Sequence, residues 1–286
     1  MLSKARLITP LLVLCALLGA CEDKGRLAQQ KASAAVERLP PLVERDVGQV
    51  RGGLPKGAEE LGKRLGDDPG ADPAGLQRAI QAARAAVKDL AFAKSTFFLF
   101  VDSSGTVLRS EEDPDLPAGK SLTQAIPAMK KLSEPGAGLL EAWGYMEGLR
   151  GVNKGADHQW VVGHPVKGKE GKLLGGFVTG WSLRKYAYYL EEDARAELIR
   201  KLGEEQKAKA IALTYVFVVK GGQAYGAPVT PDVNAEAVTK LDLAAKVKAG
   251  PFRTTLEIEG RSFALEARAC KPLGDDAALA VLLSEL

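Results

Sequence analysis

The first 91 residues, Met1 to Ala91, contain no phenylalanine, tyrosine or tryptophan. Phe92, Phe97, Phe98 and Phe100 then follow within nine residues. The aromatic-free stretch reads as delivery segment and spacer, with the first folded lobe beginning near its end. Histidine is almost missing, with two in 286 residues, which leaves little for acid–base chemistry at neutral pH. No GxSxG, HExxH, GxxxxGK[ST], strand-following GxGxxG or CxxCH occurs. A nucleophile elbow, a zincin helix, a phosphate-binding loop, a dinucleotide turn and covalent haem are thereby excluded. His158 and His164 fall short of the three or four ligands a zinc site takes. No catalytic residue, metal or cofactor is expected, and the chain is read as a non-enzyme.

Charge of one sign is also lacking. The formal net charge is +3, with lysines and arginines scattered and no interleaved aromatics. A nucleic-acid surface needs a basic stripe, so that partner is excluded. Beyond the N-terminus no apolar run reaches the roughly 18 residues of a spanning helix. What the composition does show, 46% hydrophobic and 26% charged residues, is globular.

The N-terminus is the most specific segment. Lys4 and Arg6 precede an apolar run, Leu7 to Leu18, and small residues Gly19 and Ala20 follow. That is the layout of a secretory signal. The end, Leu18-Gly19-Ala20-Cys21, resembles the lipobox of bacterial lipoproteins. The resemblance implies removal of residues 1–20, a diacylglyceryl group on the Cys21 thiol and a membrane anchor outside the cytoplasm. Each buried methylene adds about 0.8 kcal/mol, so two or more chains hold stably. Glu22, where the enterobacterial sorting pattern has Asp for inner-membrane retention, leans toward the outer membrane, facing the periplasm. With Cys15 removed and Cys21 acylated, Cys270 alone remains, and no intramolecular disulfide can form.

Residues 21–91 are rich in helix formers and read as a helical spacer. A helix over GRLAQQKASAAVERL is expected to stop at Pro40-Pro41 and resume in PLVERDVGQV. RGGLPKG and GDDPGADPAG are read as breakers. From Asp72-Pro73, residues Leu76, Ile80, Ala83, Val87 and Leu90 recur at helical spacing and give one apolar face.

Downstream, two segments share one layout. In TFFLFVDSSGTVLRS both strand faces are apolar, which places this strand centrally, and DSSG is a turn. A helix interrupted at Pro127 is expected in SLTQAIPAMKKL, then strands in HQWVVGHPV and KLLGGFVTGWSL, then a long helix from Arg184. The arrangement recurs from Leu213, with Tyr215, Phe217 and Val219 standing for Phe97, Leu99 and Val101. A hairpin, FRTTLEIEG with RSFALEARA, and a last strand close the chain.

The stretches FLFVDSSGTVLRS, GHPVKGKEGKLLGGFVTGWSL and YVFVVKGGQAYGAPV resemble the double Cache module of extracytoplasmic bacterial receptors. The likeness covers about Ala91 to Leu286. It implies an α+β fold of two PAS-like lobes, each an antiparallel sheet flanked by helices. Residues 92–190 form the first lobe, 191–209 a connecting helix and 210–286 the second lobe. It also implies a small-molecule ligand of unidentified kind, bound between sheet and covering loops in the first lobe. Such modules usually continue into an output domain. None follows here, so a partner protein of the envelope is expected to carry the signal. The competing reading is a structural or interaction lipoprotein whose PAS-like fold holds no ligand.

Twelve aromatic residues, all three tryptophans among them, lie between Phe92 and Tyr189. Trp143, Tyr145, Trp160 and Trp181 are the candidate ligand walls, and Asp102, Arg150 and His164 the candidate polar contacts. Each has a plainer reading. A strand tryptophan also fits a packed core, His164 a structural hydrogen bond, and Asp102 a turn cap. The sequence does not reproduce the aromatic, Arg and Asp set of amino-acid-binding Cache pockets.

Overall fold

The computed structural model describes residues 9–146, 157–207 and 213–284. One helix, α1, runs unbroken over Thr9–Arg64. The breaks expected at Pro40-Pro41 and at RGGLPKG do not occur. An interior proline costs about 3 kcal/mol, and α1 carries Pro40, Pro41 and Pro55. Burial offsets this. Val36, Leu39, Val43, Val47, Val50, Leu54, Ala58 and Leu61 recur at steps of three and four, and none is more than 1% exposed. Full burial of an aliphatic side chain contributes roughly 1.5–3 kcal/mol, so the stripe outweighs the prolines.

The break expected at GDDPGADPAG is present. After it come α2, Pro73–Ala86, and α3, Lys88–Phe92. Asp72 caps α2, its side chain accepting from the Gly75 amide at 2.8 Å. Leu76, Ile80, Ala83, Val87 and Leu90 are all buried, as their spacing predicts.

The chain divides into two compact units, Pro41–Tyr188 and Met1–Pro40 with Tyr189–Leu286. The first contains strands β1, Phe97–Val101; β2, Val107–Ser110; β3, Leu140–Met146; β4, Asp157–Lys167; and β5, Leu173–Ser182. They form an antiparallel sheet in the order β2-β1-β5-β4-β3. β1 is flanked on both sides and buried along its whole length, which is why both its faces are apolar. Asp102 Oδ1 accepts from the Ser104 and Thr106 amides at 2.8 and 2.9 Å, and Gly105 takes φ +84° in the β1–β2 turn. Between β2 and β3 lie α4, Leu122–Ala125, and a 3-10 helix, Pro127–Ser133, with the interruption at Pro127. β3 has no counterpart in the sequence reading.

The second unit repeats the plan. Its strands are β6, Leu213–Lys220; β7, Gln223–Gly226; β8, Phe252–Ile258; β9, Arg261–Ala269; and β10, Ala277–Ser284. The order is β7-β6-β10-β9-β8, the same permutation as in the first sheet. Helix α5, Leu183–Lys207, precedes this sheet, and α6, Asp232–Thr239, and α7, Leu243–Lys246, lie between β7 and β8. Phe217, Val219 and Tyr215 belong to its apolar cluster, as Phe97, Leu99 and Val101 do in the first. The fold is α+β, with a long N-terminal helix and two five-stranded antiparallel sheets flanked by helices.

Candidate functional site

Strand alternation sorts the first sheet into two faces. One face carries Phe98, Phe100, Trp143, Tyr145, His158, Trp160, His164, Phe177 and Trp181, which the pairings Tyr145↔His158, Trp143↔Trp160, Trp160↔Trp181, His164↔Phe177 and Phe100↔Phe177 set side by side. It therefore gathers every tryptophan expected to bind ligand. This face is covered by the helices. A Cβ on Gly57 of α1 would lie 3.0 Å from Phe177, and Arg84 of α2 sits 4.6 Å over the Phe98 ring.

The rings are packed on one another. Trp160 and Trp181 have centroids 4.2 Å apart, and Trp181 stacks on Tyr186 of α5 at 4.3 Å and 12°. Their exposures are 1% and 0% for the tryptophans and 0% for Tyr186. Two of the three polar edges are tied down, while Trp181 Nε1 is buried with no partner among the described residues. Trp160 Nε1 donates to Glu141 Oε2 at 3.2 Å, Arg51 of α1 donates to the same carboxylate at 2.6 and 2.9 Å, and Tyr186 Oη donates to Asp46 Oδ2 at 3.0 Å. This stack seats α1 on the sheet.

The remaining expected residues are spread out. Tyr145 is 53% exposed and stacks on His158 at 4.7 Å; Trp143 meets the same ring at 5.9 Å. His164 Nδ1 donates to the Pro165 carbonyl at 2.9 Å, and burial lowers its pKa, so the ring is neutral at pH 7. Asp102 is the turn cap already described. Arg150 lies outside the described residues. Cys21 falls within the span of α1.

The opposite face is the one framed by α4 and the 3-10 helix. Phe97, Leu99, Val161 and Val178 pack there with Leu122, Ile126, Met129 and Leu132. At one end the apolar surface gives way to Asp157, Gln159 and Ser182, which are 2%, 0% and 2% exposed. Sheet register sets Gln159 opposite Ser182. Ser182 Oγ donates to Asp157 Oδ2 and accepts from the Lys185 amide at 3.0 Å, capping α5. The Ser182 amide donates to Thr96 Oγ1 at 3.2 Å, and Gln159 Nε2 to the Asp157 carbonyl at 3.3 Å.

Two acceptors in this cluster, Asp157 Oδ1 and Gln159 Oε1, are buried and have no partner among the described residues. A buried unsatisfied polar group costs roughly 1–3 kcal/mol, so the arrangement asks for a donor. Burial also pushes the Asp157 carboxyl up to about 6, against the pull of Arg184 and of hydrogen bonds from the Gln159 side chain and the His158 amide. Near Thr96, a small cleft lined by Phe97, Ser110, Pro114 and Leu116 holds about 20 Å³, room for roughly one water. Sequence reasoning missed this cluster. Its signal was faint: polar Asp157 and Gln159 at alternate positions opening a strand that is otherwise apolar on that face.

The raised carboxyl has a consequence for stability. From an ordinary value of 3.8 to about 6, the folded state holds the proton more tightly than the unfolded chain. The stabilisation is complete below about pH 4 and is lost as pH rises through about 6. Asp157→Asn is therefore expected to flatten the decline across that interval and to melt higher than wild type at pH 8. A lower melting temperature at pH 8 would show that partners hold the ionised form.

No family model and no curated protein matches this sequence. Solved structures do match by fold. An extracellular ligand-binding receptor from Desulfohalobium retbaense superposes with TM-score 0.50 at 11% identity, over 88% of this chain and 40% of that one. The extracellular domain of vpHK1S-Z8, named as a histidine kinase, superposes with TM-score 0.50 at 9% identity, over 92% of this chain and 91% of that one. The ligand-binding domain of the Pseudomonas aeruginosa amino acid chemoreceptor PctB, in complex with L-Gln, gives TM-score 0.46 at 14% identity, over 87% and 89%. The chain spans 40% of the length of the Desulfohalobium receptor. At such identities the likeness is one of fold alone: two five-stranded antiparallel sheets with flanking helices, arranged as in double Cache modules.

Proposed function

We propose that this chain is a lipid-anchored, extracytoplasmic binding module that senses a small molecule and reports through a partner protein of the envelope. The observation that carries the reading is the pair of buried acceptors, Asp157 Oδ1 and Gln159 Oε1, on the α4-framed face of the first sheet. A ligand presenting hydrogen-bond donors answers them, and it gains most where it also neutralises the Asp157 carboxylate above pH 6. The expected tryptophan walls are replaced in this reading by Asp157, Gln159 and Ser182. The anchor is the acylated Cys21 thiol, and Cys21→Ser is expected to move the protein from the membrane to the soluble fraction.

A thermal-shift screen of small metabolites against the purified protein tests the binding. A ligand at 100 times its Kd adds about 2.7 kcal/mol. The shift is expected in wild type and absent in Asp157→Asn, whose own melting remains cooperative. A shift that survives Asp157→Asn and Gln159→Leu would place binding elsewhere.

A second reading has its own support. Leu132 and Ile126 close over the same face: a Cβ on Gly163 would lie 2.6 Å from Leu132, and one on Gly144 2.6 Å from Ile126. A structural or protein-interaction lipoprotein needs no more space than that. It wins if no compound shifts melting while one envelope protein co-purifies.

A further inference from the structure

The second sheet ends in an edge strand that is complementary to itself. β8, Phe252–Ile258, pairs with β9 on one side, and among the described residues has no strand on the other. Edge strands are commonly protected by shortness, a bulge, proline, charged side chains or a covering helix or loop; β8 carries charges, Arg253 and Glu257, but of opposite sign. β7, at the far edge of this sheet, is four residues long; β8 is seven, and its register with β9 runs without irregularity. Its sequence FRTTLEI has neither proline nor lysine.

Consider a second copy laid antiparallel against it about Thr255. Arg253 then faces Glu257 of the second copy, and Glu257 faces Arg253. Thr254 faces Leu256, Phe252 faces Ile258, and Thr255 faces itself. Opposite charges thus meet twice, and no like charges meet. The charged side chains are available: Arg253, Thr255 and Glu257 are exposed. Arg253 spends Nε and one terminal nitrogen on Glu266 at 2.6 and 3.5 Å, and its five donors leave others for Glu257. On the other face of the strand, Phe252 and Leu256 are half-buried against the apolar cluster and Thr254 is half-buried between them, so a second copy would complete their cover. The edge of the first sheet offers no such match. β3 paired with itself about Trp143 would set Glu141 against Tyr145.

We infer that β8 is a homodimerisation edge, joining two copies of this chain by a two-fold axis through Thr255 into one continuous sheet. The pairing does not depend on ligand binding at Asp157.

The register makes the test sharp. Directly opposed residues of an antiparallel pair have Cα atoms about 4.5–5.5 Å apart, within disulfide reach. In the full chain in mild detergent, Thr255→Cys is expected to form a covalent dimer on gentle oxidation. Arg253→Cys and Glu257→Cys are each expected to form no covalent dimer alone and to cross-link when mixed. Native Cys270 is buried and does not compete. In sedimentation velocity, Glu257→Lys sets lysine against arginine at both pairs and is expected to weaken the dimer roughly tenfold. Unchanged melting of that surface variant shows that it is folded. The inference is overturned if Thr255→Cys gives no covalent dimer, or if a dimer persists at wild-type strength in both Glu257→Lys and Thr255→Pro.

Discussion

Trp181→Ala is expected to cost roughly 3–5 kcal/mol, the range for truncating a fully buried large aromatic. The ring is 0% exposed and lies between Trp160 at 4.2 Å and Tyr186 at 4.3 Å. Removing it leaves a hole whose walls are anchored: Trp160 is held by Glu141, and Tyr186 by Asp46. Anchored walls relax little, which puts the cost toward the upper end. All three tryptophans lie between Trp143 and Trp181, so their fluorescence reports unfolding of residues 41–188 specifically. Urea titration followed by that signal gives the change directly as a lower midpoint. The contrary outcome is also informative. If Trp181→Ala leaves the midpoint within about 0.5 kcal/mol of wild type and instead abolishes a ligand-induced shift, the ring is a binding wall and the assignment to Asp157 fails.

That prediction reverses the functional value the sequence suggested for the aromatics. Alternation along HQWVVGHPV puts Trp160 and His164 on one face, and the sheet register adds Trp181 to it. Alternation cannot say which face meets a helix and which a loop-framed space, because period-two patterning is the same for both. The covering element was hidden in turn. α1 carries an apolar stripe from Val36 to Leu61, but Pro40, Pro41, Gly52, Gly53 and Pro55 outweigh it if punctuation is read before periodicity. Local propensity is a weak prior, and tertiary burial overrode it. The parts legible from sequence were those fixed by short-range rules. The β1 strand, the DSSG turn with Asp102, the stop at Pro127 and the β8–β9 hairpin all lie where local pattern put them. The repeated layout was legible because matching segments recur along the chain, but the strand order was not, since β3 carried no strand signal that was read. The polar cluster was not, since it depends on β4 and β5 lying in register across Gln159 and Ser182.

The glycines of α1 turn this contrast into a measurement. In an exposed helix interior, Gly→Ala gains about 1 kcal/mol. At Gly48 a Cβ would meet nothing within 4 Å, so Gly48→Ala is expected to stabilise by roughly 0.5–1 kcal/mol. At Gly62 the same atom would lie 2.2 Å from the Lys167 carbonyl oxygen and 3.2 Å from its carbon. That neighbour is the end of β4, backbone that cannot rotate away. Gly62→Ala is therefore expected to destabilise, by roughly 1–3 kcal/mol or more after the helix gain is subtracted. Gly57→Ala falls between, since Leu90 at 2.5 Å and Phe177 at 3.0 Å are side chains with some room to shift. The sign at Gly62 is the decisive readout in a urea titration. A breaker glycine would gain from alanine just as Gly48 does, whereas a glycine that lets α1 lie against the end of β4 must lose. Equal stabilisation at both positions would mean that α1 is not seated on the first sheet, and the tryptophan stack beneath it would then lie open to solvent and ligand.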